Sequence, residues 1–125
     1  GHLYPGKGRT TPDKLYAFVL NFPEVPIVCA HWGGGLPFYS LMPEVSRATT
    51  NVYYDTAASP FLYSPEILST MVGINGPDRV LFGTDFPLIK HDRHLKEIGE
   101  SSISRRAQGQ ILGNNAQALL GLSGG

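Results

Sequence analysis

The chain contains 125 residues, 42% of them hydrophobic, and its ten basic and ten acidic side chains give a formal net charge of zero. This composition predicts a folded domain and excludes a disordered chain. The balanced, scattered charge gives no electropositive surface for nucleic acid or an anionic membrane, so we expect neither as a partner. No apolar run approaches the ~18–20 residues of a membrane span, and the first residues lack a signal-peptide pattern, which predicts a cytoplasmic protein.

The first half of the chain predicts two helices that alternate with two strands. Residues 11–13 supply a cap, a proline and an acid, and the apolar spacing that follows favours an amphipathic helix to about residue 22. The apolar run 27–30 is typical of a parallel strand covered on both faces. A short helix within 38–48 and a β-rich strand at 51–55 follow.

The second half continues the alternation. Residues 64–75 begin with another cap, proline and acid and predict a second clear helix. Residues 79–83 predict the third strand. From about His94 two or three helices are expected. One of them ends at Gly113, and the last is expected to bury Ala118, Leu119 and Leu122.

The strand spacing predicts an α/β fold with a parallel sheet. Strands that start near residues 26, 52 and 80 lie 26 and 28 residues apart. This period fits a (β/α)8 barrel, whose ~250 residues give ~31 per unit, and it also fits a doubly wound open sheet. As a barrel, residues 1–122 would form about half and residues 123–125 a flexible tail. Because half a barrel leaves sheet edges uncovered, we expect association with a missing half or a homo-oligomer.

Three reactive side chains stand where the predicted strands end. In both parallel architectures, ligand chemistry gathers at the carboxyl ends of strands. His31 can ligate a metal or move a proton, and Asp85 can hold a divalent cation or accept a proton from metal-bound water. The alternative for His31 is a hydrogen-bonded histidine at the end of a buried strand. The alternative for Asp85 is an N-cap of the following segment. Asp55 is predicted to be structural, binding backbone amides in the loop that follows it.

The residues beside His31 have two interpretations each. Gly33 and Gly34 permit positive φ and close backbone approach, so they either offer N–H groups to an anionic substrate or form a tight turn. Trp32 either lines a substrate pocket or fills the layer between strand and helix, and we favour packing. Cys29, the only cysteine, is predicted to be a small core residue.

The other histidines and the first cations carry weaker signals. The role of His2 is open, because any strand before it would precede the chain. Lys7 and Arg9 favour a solvated loop, since the order of a phosphate-binding loop is absent. His91 and His94 are predicted to be surface residues.

Three segments together resemble a known family. They are Ala-His-Trp-Gly-Gly-Gly-Leu-Pro-Phe at 30–38, Leu-Phe-Gly-Thr-Asp-Phe-Pro at 81–87, and Ile-Leu-Gly-Asn-Asn-Ala-Gln-Ala-Leu-Leu at 111–120. The chain resembles the amidohydrolase-related family of metal-dependent TIM-barrel hydrolases, which also includes decarboxylases similar to aminocarboxymuconate-semialdehyde decarboxylase. The first two motifs are fairly specific as a pair, and the likeness extends to about Leu122.

The resemblance implies that the strands are barrel strands six, seven and eight. His31 would then be an acid/base in the decarboxylase branch and a metal ligand in other branches, while Asp85 would be a metal ligand or proton acceptor. The implied ion is divalent and commonly zinc. The family's first strand ends in His-x-His, which this chain lacks. His2 lies near the expected strand-five exit and is a weaker ligand candidate.

The leading hypothesis is the C-terminal half of a metal-dependent hydrolase, in which metal-activated water attacks a carbonyl of a small substrate. These 125 residues alone are expected to be inactive, because an open zinc site usually needs three protein ligands. One alternative is a decarboxylase of a small unsaturated carboxylic acid on the same scaffold. Another is a non-catalytic α/β fragment that associates with itself through its sheet edges.

Overall fold

Three short parallel strands occupy the centre of the fold. The computed structural model describes residues 10–122, and its strands are β1 (Ile27–Cys29), β2 (Val52–Asp55) and β3 (Val80–Leu81). They lie in the order β1-β2-β3, and both neighbouring pairs are parallel. The three predicted strands and the α/β class are therefore confirmed. All three strands run towards the same edge of the sheet.

Several predictions concern residues outside the described part of the chain. These are the tail at 123–125 and the side chains of His2, Lys7 and Arg9.

Seven α-helices lie within residues 10–122. They are α1 (Pro12–Asn21), α2 (Pro43–Ala48), α3 (Ser59–Leu62), α4 (Ile67–Asn75), α5 (His91–Glu100), α6 (Arg105–Gly109) and α7 (Asn115–Leu120). Two 3-10 segments, His31–Leu41 and Pro77–Arg79, and a π-helical turn, Gln110–Asn114, complete the structure. In this described part no helix has the length and apolarity to cross a membrane.

The short helix expected within 38–48 is confirmed as α2, which begins after the 3-10 segment and has Pro43 in its first turn. One helix start differs from the prediction. The second helix begins at Ile67 and not at Ser64. The Ile67 N–H donates to the Ser64 carbonyl, which closes a separate turn before the helix.

The hydrophobic core lies on one face of the sheet. Cys29 pairs with Tyr54 and contributes to a cluster with Trp32, Met71 and Ile98, all of them buried. Burial raises the pKa of the Cys29 thiol to about 11, which agrees with its predicted core role. The sequence predicts that the strand at 27–30 is covered on both faces. This is wrong for the described residues, because the Val28 side chain, on the face opposite the core, is 49% exposed.

The helix that contains Ile111 does not end at Gly113, contrary to the prediction. The π-helical turn carries the helix through this residue, and the predicted burial of Leu122 is also wrong, since that side chain is 60% exposed. The Ile111 carbonyl accepts the Phe82 N–H at 3.1 Å. The Asn115 amide donates to the carbonyls of Pro77 and Val80 at 2.6 and 2.9 Å. Polar contacts with β3 therefore fix this end of the chain.

We expect Asn115→Ala to lower the free energy of unfolding by about 2 kcal/mol, since it removes two hydrogen bonds from partly or fully buried carbonyls. Asn114→Ala is the matched control, because Asn114 is exposed and should change stability by less than about 0.5 kcal/mol. Urea denaturation followed by circular dichroism measures both. Equal effects of the two substitutions would contradict the anchoring role of Asn115.

Candidate active site at the carboxyl edge of the sheet

A left-handed turn follows β1 and positions His31. The φ angles of His31, Trp32, Gly33 and Gly34 are +55°, +56°, +59° and +65°. Only glycine adopts this conformation freely, so His31 and Trp32 each cost roughly 1–2 kcal/mol of backbone strain. The predicted positive φ of the glycines is confirmed.

Gly33 and Gly34 play different parts in this turn. The Gly33 N–H donates to the Ala30 carbonyl at 2.9 Å, so it is not available for an anionic substrate. A Cβ at Gly33 would lie 3.1 Å from the Tyr54 ring, so a larger residue would crowd the packing of this turn against β2. Gly34 is exposed. A substrate contact at either residue stays a prediction.

The Asp55 carboxylate joins the exits of β1 and β2. Its Oδ1 accepts the His31 N–H at 2.8 Å and the Ala57 N–H at 3.0 Å. The His31 Nδ1 lies 3.0 Å from the Ala57 carbonyl, which can only accept, so Nδ1 carries the proton in a neutral ring. The predicted structural role of Asp55 is confirmed, and Nε2 is the ring atom left for chemistry.

The Nε2 atom of His31 faces Asp85. It lies 4.0 Å from Asp85 Oδ2, and the two side chains are 42% and 49% exposed. Asp85 also has a positive φ, of +62°, and its carbonyl accepts the Leu88 N–H at 2.9 Å. The structure thus brings together the two side chains singled out in the sequence. Both stand on strained backbone, a feature that clusters at functional sites.

His94 is buried, and its predicted surface position is wrong. Its side chain is 4% exposed, its ring stacks on Phe82 with centroids 5.3 Å apart, and its Nε2 lies 2.8 Å from Thr56 Oγ1. Burial lowers the pKa of His94, and the Glu97 carboxylate partly opposes this shift. The four-residue spacing to buried Ile98 was the signal for its position, because residues i and i+4 share a helix face.

Trp32 packs inside the molecule. The indole is 1% exposed and donates to Ser59 Oγ at 2.8 Å, in agreement with the packing interpretation. It also borders a cavity of about 410 Å³ between α4 and α5, which His94 and Glu97 line as well. His31 and Asp85 do not border this cavity. The role of Trp32 as a substrate contact stays a prediction.

His31 and Asp85 have the donor chemistry for part of a metal site. An imidazole whose Nδ1–H is held by a carbonyl presents Nε2 to a metal, and a carboxylate is a common second ligand. Within residues 10–122 no group of three or more histidine, cysteine, aspartate or glutamate side chains can hold an ion. The pair therefore fits a divalent metal as two of its ligands.

A family model described as amidohydrolase matches residues 8–122. The chain belongs to the amidohydrolase family. The 6-methylsalicylic acid decarboxylase of Penicillium expansum is a curated relative, 33% identical over 111 residues. The match covers 74% of this chain and 33% of the relative, so the chain spans about a third of that protein.

Solved structures of family members share this fold. The 5-carboxyvanillate decarboxylase of Sphingomonas paucimobilis has a TM-score of 0.74 at 18% identity, covering 89% of this chain and 39% of that one. The dihydroxybenzoic acid decarboxylase of Polaromonas sp. JS666, solved with manganese and 2-nitroresorcinol, has a TM-score of 0.71 at 22% identity, with 91% and 42% covered. A zinc-bound amidohydrolase of Burkholderia multivorans has a TM-score of 0.63 at 17% identity, with 90% and 49% covered. The three-stranded sheet therefore matches part of a TIM barrel.

We expect Asp85→Gly to be more stable than Asp85→Ala by about 1 kcal/mol, because glycine relieves the left-handed strain and alanine does not. At an ordinary helical site the order is reversed by ~0.5–1 kcal/mol. Asp92, exposed in the first turn of α5, provides that matched control. Urea denaturation of the four variants decides, and a more stable Asp85→Ala would disprove the strain.

The lowered pKa of His94 predicts a loss of stability in acid. The unfolded chain, with an ordinary histidine pKa of 6.5, binds this proton more readily than the folded chain. The stability that the folded state gains by holding His94 neutral is therefore fully present above about pH 6.5. It is lost as the pH falls through the lower pKa of His94 in the folded chain. Urea denaturation at several values between about pH 5 and about pH 8 measures the slope of stability against pH. His94→Gln should flatten this slope, and an unchanged slope would contradict the assignment to His94.

Proposed function

We propose that the chain supplies strands six to eight, with His31 and Asp85, of a metal-dependent decarboxylase for a small aromatic or unsaturated carboxylic acid. The observation that carries the proposal is the approach of His31 Nε2 to Asp85 Oδ2 at the carboxyl edge of the sheet. The curated relative that shares 33% identity is named as a decarboxylase, and this favours decarboxylation over the hydrolysis that leads from sequence alone.

In this proposal Asp85 and His31 face the metal and the substrate. Asp85 would hold a divalent ion, and His31 Nε2 would either join it or stay free as an acid/base. When bound, the ion would supply positive charge that orients the substrate's oxygen atoms. Manganese and zinc are both supported, because each is named in a family structure.

The movement of protons in decarboxylation assigns a task to His31. The reaction breaks the bond between the carboxylate carbon and its neighbour, leaves the electron pair on that neighbour and releases carbon dioxide. The neighbour then takes a proton, which a positioned imidazole can donate. His31 would make this donation as the imidazolium, because the Ala57 carbonyl holds Nδ1–H and the transferred proton must be carried by Nε2, which faces Asp85; the ring would return to its neutral Nδ1–H form.

Hydrolysis is the second candidate. The matching family model is described as amidohydrolase, and the same pair can serve that reaction. Asp85 would accept the proton of an attacking water, and His31 would polarise the carbonyl or relay protons. The two reactions differ in their products, not in the residues that this chain provides.

The open face of the sheet supports association with further strands. Val28 is 49% exposed on this face, and Phe18, Phe22 and Val25, which precede β1 in the chain, are 51%, 47% and 50% exposed. Exposed large apolar side chains favour a covering partner. We propose that the remaining barrel strands cover them and supply the further metal ligands, His2 being one candidate. A second copy of the chain is the alternative occupant.

We expect the full-length protein, loaded with manganese or zinc, to release carbon dioxide from 6-methylsalicylate or a dihydroxybenzoate. His31→Gln and Asp85→Asn should each lower turnover by about 10²–10⁴-fold, because each removes a proton carrier or a ligand. Asp92→Asn, an exposed carboxylate on α5, is the control and should leave turnover unchanged.

Headspace carbon dioxide and product chromatography measure the outcome. Cleavage of amides or esters without carbon dioxide would establish the hydrolase instead. Full turnover by Asp85→Asn would remove Asp85 from the mechanism. The 125-residue chain, assayed in parallel, should show no turnover, because its described residues lack a third ligand.

A further inference from the structure

Behind the His31–Asp85 pair, a second set of polar contacts joins the exits of β2 and β3. We propose that Thr56 and His94 are positioning residues that fix the separation of His31 and Asp85. Neither Thr56 nor His94 is a candidate metal ligand, and both lie outside the His31–Asp85 pair. The proposal rests on the proposed function, because it assigns the support of that same site.

The hydroxyl of Thr56 is the centre of this set. It donates to the Gly83 carbonyl at 3.0 Å and accepts the Gly83 N–H at 3.1 Å. A hydroxyl has one proton and two lone pairs, so one acceptor position remains. His94 Nε2, 2.8 Å away, fills it as a donor. All hydrogen-bonding capacity of the Thr56 hydroxyl is then used, and His94 is fixed as its Nε2–H tautomer.

These contacts hold the segment that carries Asp85. Gly83 lies two residues before Asp85, and both of its backbone polar groups are bound to Thr56. The Thr56 N–H donates to the Leu81 carbonyl at 3.0 Å, and the Ala58 N–H contacts the Thr84 carbonyl at 3.4 Å. The two strand exits are therefore joined at Leu81, Gly83 and Thr84, the last of which directly precedes Asp85.

The same loop holds His31 from the other side. Thr56 lies between Asp55, which accepts the His31 N–H, and Ala57, whose carbonyl holds His31 Nδ1. A shift of Thr56 would consequently move the supports of His31 and the segment of Asp85 together. The side chains themselves lie 4.0 Å apart and are about half exposed, so their own contact holds them only weakly.

His94 is itself held rigidly. Its ring is almost fully buried, stacks on Phe82 at an angle of 23°, and is carried by α5. Its Nδ1 makes no hydrogen bond among the described residues, and Glu97 Oε2 lies 3.9 Å from it. Burying an imidazole costs free energy unless its nitrogens are hydrogen-bonded. The hydrogen bond from Nε2 to Thr56 offsets part of this cost.

Two pairs of substitutions test the proposal. Thr56→Val removes the hydroxyl with little change in shape, whereas Thr56→Ser retains it. His94→Leu removes the donor, whereas the side-chain amide of His94→Gln restores an N–H. If the contacts only fill space, valine and leucine should serve as well as serine and glutamine. If they position the site, serine and glutamine should rescue it.

Amide hydrogen exchange, followed by NMR on the 125-residue chain, is the first readout. We expect the Gly83 and His31 amides to exchange at least about tenfold faster in Thr56→Val and His94→Leu, because their loops lose a fixed partner. In Thr56→Ser and His94→Gln they should stay within about threefold of the parent chain. The amide of Val19 in α1, distant in sequence and in the main core, is the control.

Turnover by the metal-loaded full-length protein is the second readout. Thr56→Val and His94→Leu should lower kcat by about 10–100-fold with KM nearly unchanged, as expected when reacting groups are misplaced by a fraction of an ångström. Serine and glutamine should recover most of kcat.

Unchanged exchange at Gly83 in Thr56→Val, or equal kcat for the valine and serine variants, would overturn the proposal. Should Thr56→Val fail to fold, as judged by circular dichroism, the two His94 variants decide the question on the same readouts. If no form of the protein shows turnover, the proposed function fails, while the exchange measurement still decides whether Thr56 and His94 hold the two loops.

Discussion

A single carboxylate oxygen, Asp55 Oδ1, holds the candidate site in place. It accepts the amide of His31 at the exit of β1 and the amide of Ala57 in its own loop. Charged acceptors form stronger hydrogen bonds than neutral ones, and this acceptor joins residues 24 positions apart in the chain. Because the Ala57 carbonyl then receives His31 Nδ1–H, the backbone and the ring of His31 are fixed by the same loop.

This support explains how strained backbone persists at the site. His31 and Asp85 both adopt left-handed φ angles that cost energy for residues other than glycine. Such conformations survive only where surrounding contacts determine them. For His31 the contacts are those of Asp55, and for Asp85 they come from the joined exits of β2 and β3. The same hydrogen bonds therefore fix the two side chains and maintain their strained backbone.

The sequence predicts the features that follow from periodicity and parallel topology. Strands separated by helices end on one edge, which is enough to bring His31 and Asp85 together, although 54 residues separate them. The role of Asp55 also followed, because aspartate after a strand commonly binds loop amides. These inferences depend on local pattern and on one topological rule.

The features that were missed depend on tertiary contacts. His94 stands in a polar stretch, and only its spacing to Ile98 signals burial. The left-handed φ of His31 and Trp32 runs against their local preference, so no pattern of residues predicts it. The helix continues past Gly113 through a π-helical turn, in which the Ile111 carbonyl accepts the N–H of Phe82, 29 positions away in the chain.

The contacts between the last helical turns and β3 also bear on the order of assembly. The Phe82 N–H and the Val80 carbonyl point away from β2 and are occupied by Ile111 and Asn115. In a closed eight-stranded ring, a neighbouring strand would require those same groups. To close the ring, an incoming strand would therefore have to displace Ile111 and Asn115 from these two backbone groups. On the other side, no strand pairs with the outer edge of β1 within residues 10–122, so the sheet can extend there by ordinary strand pairing.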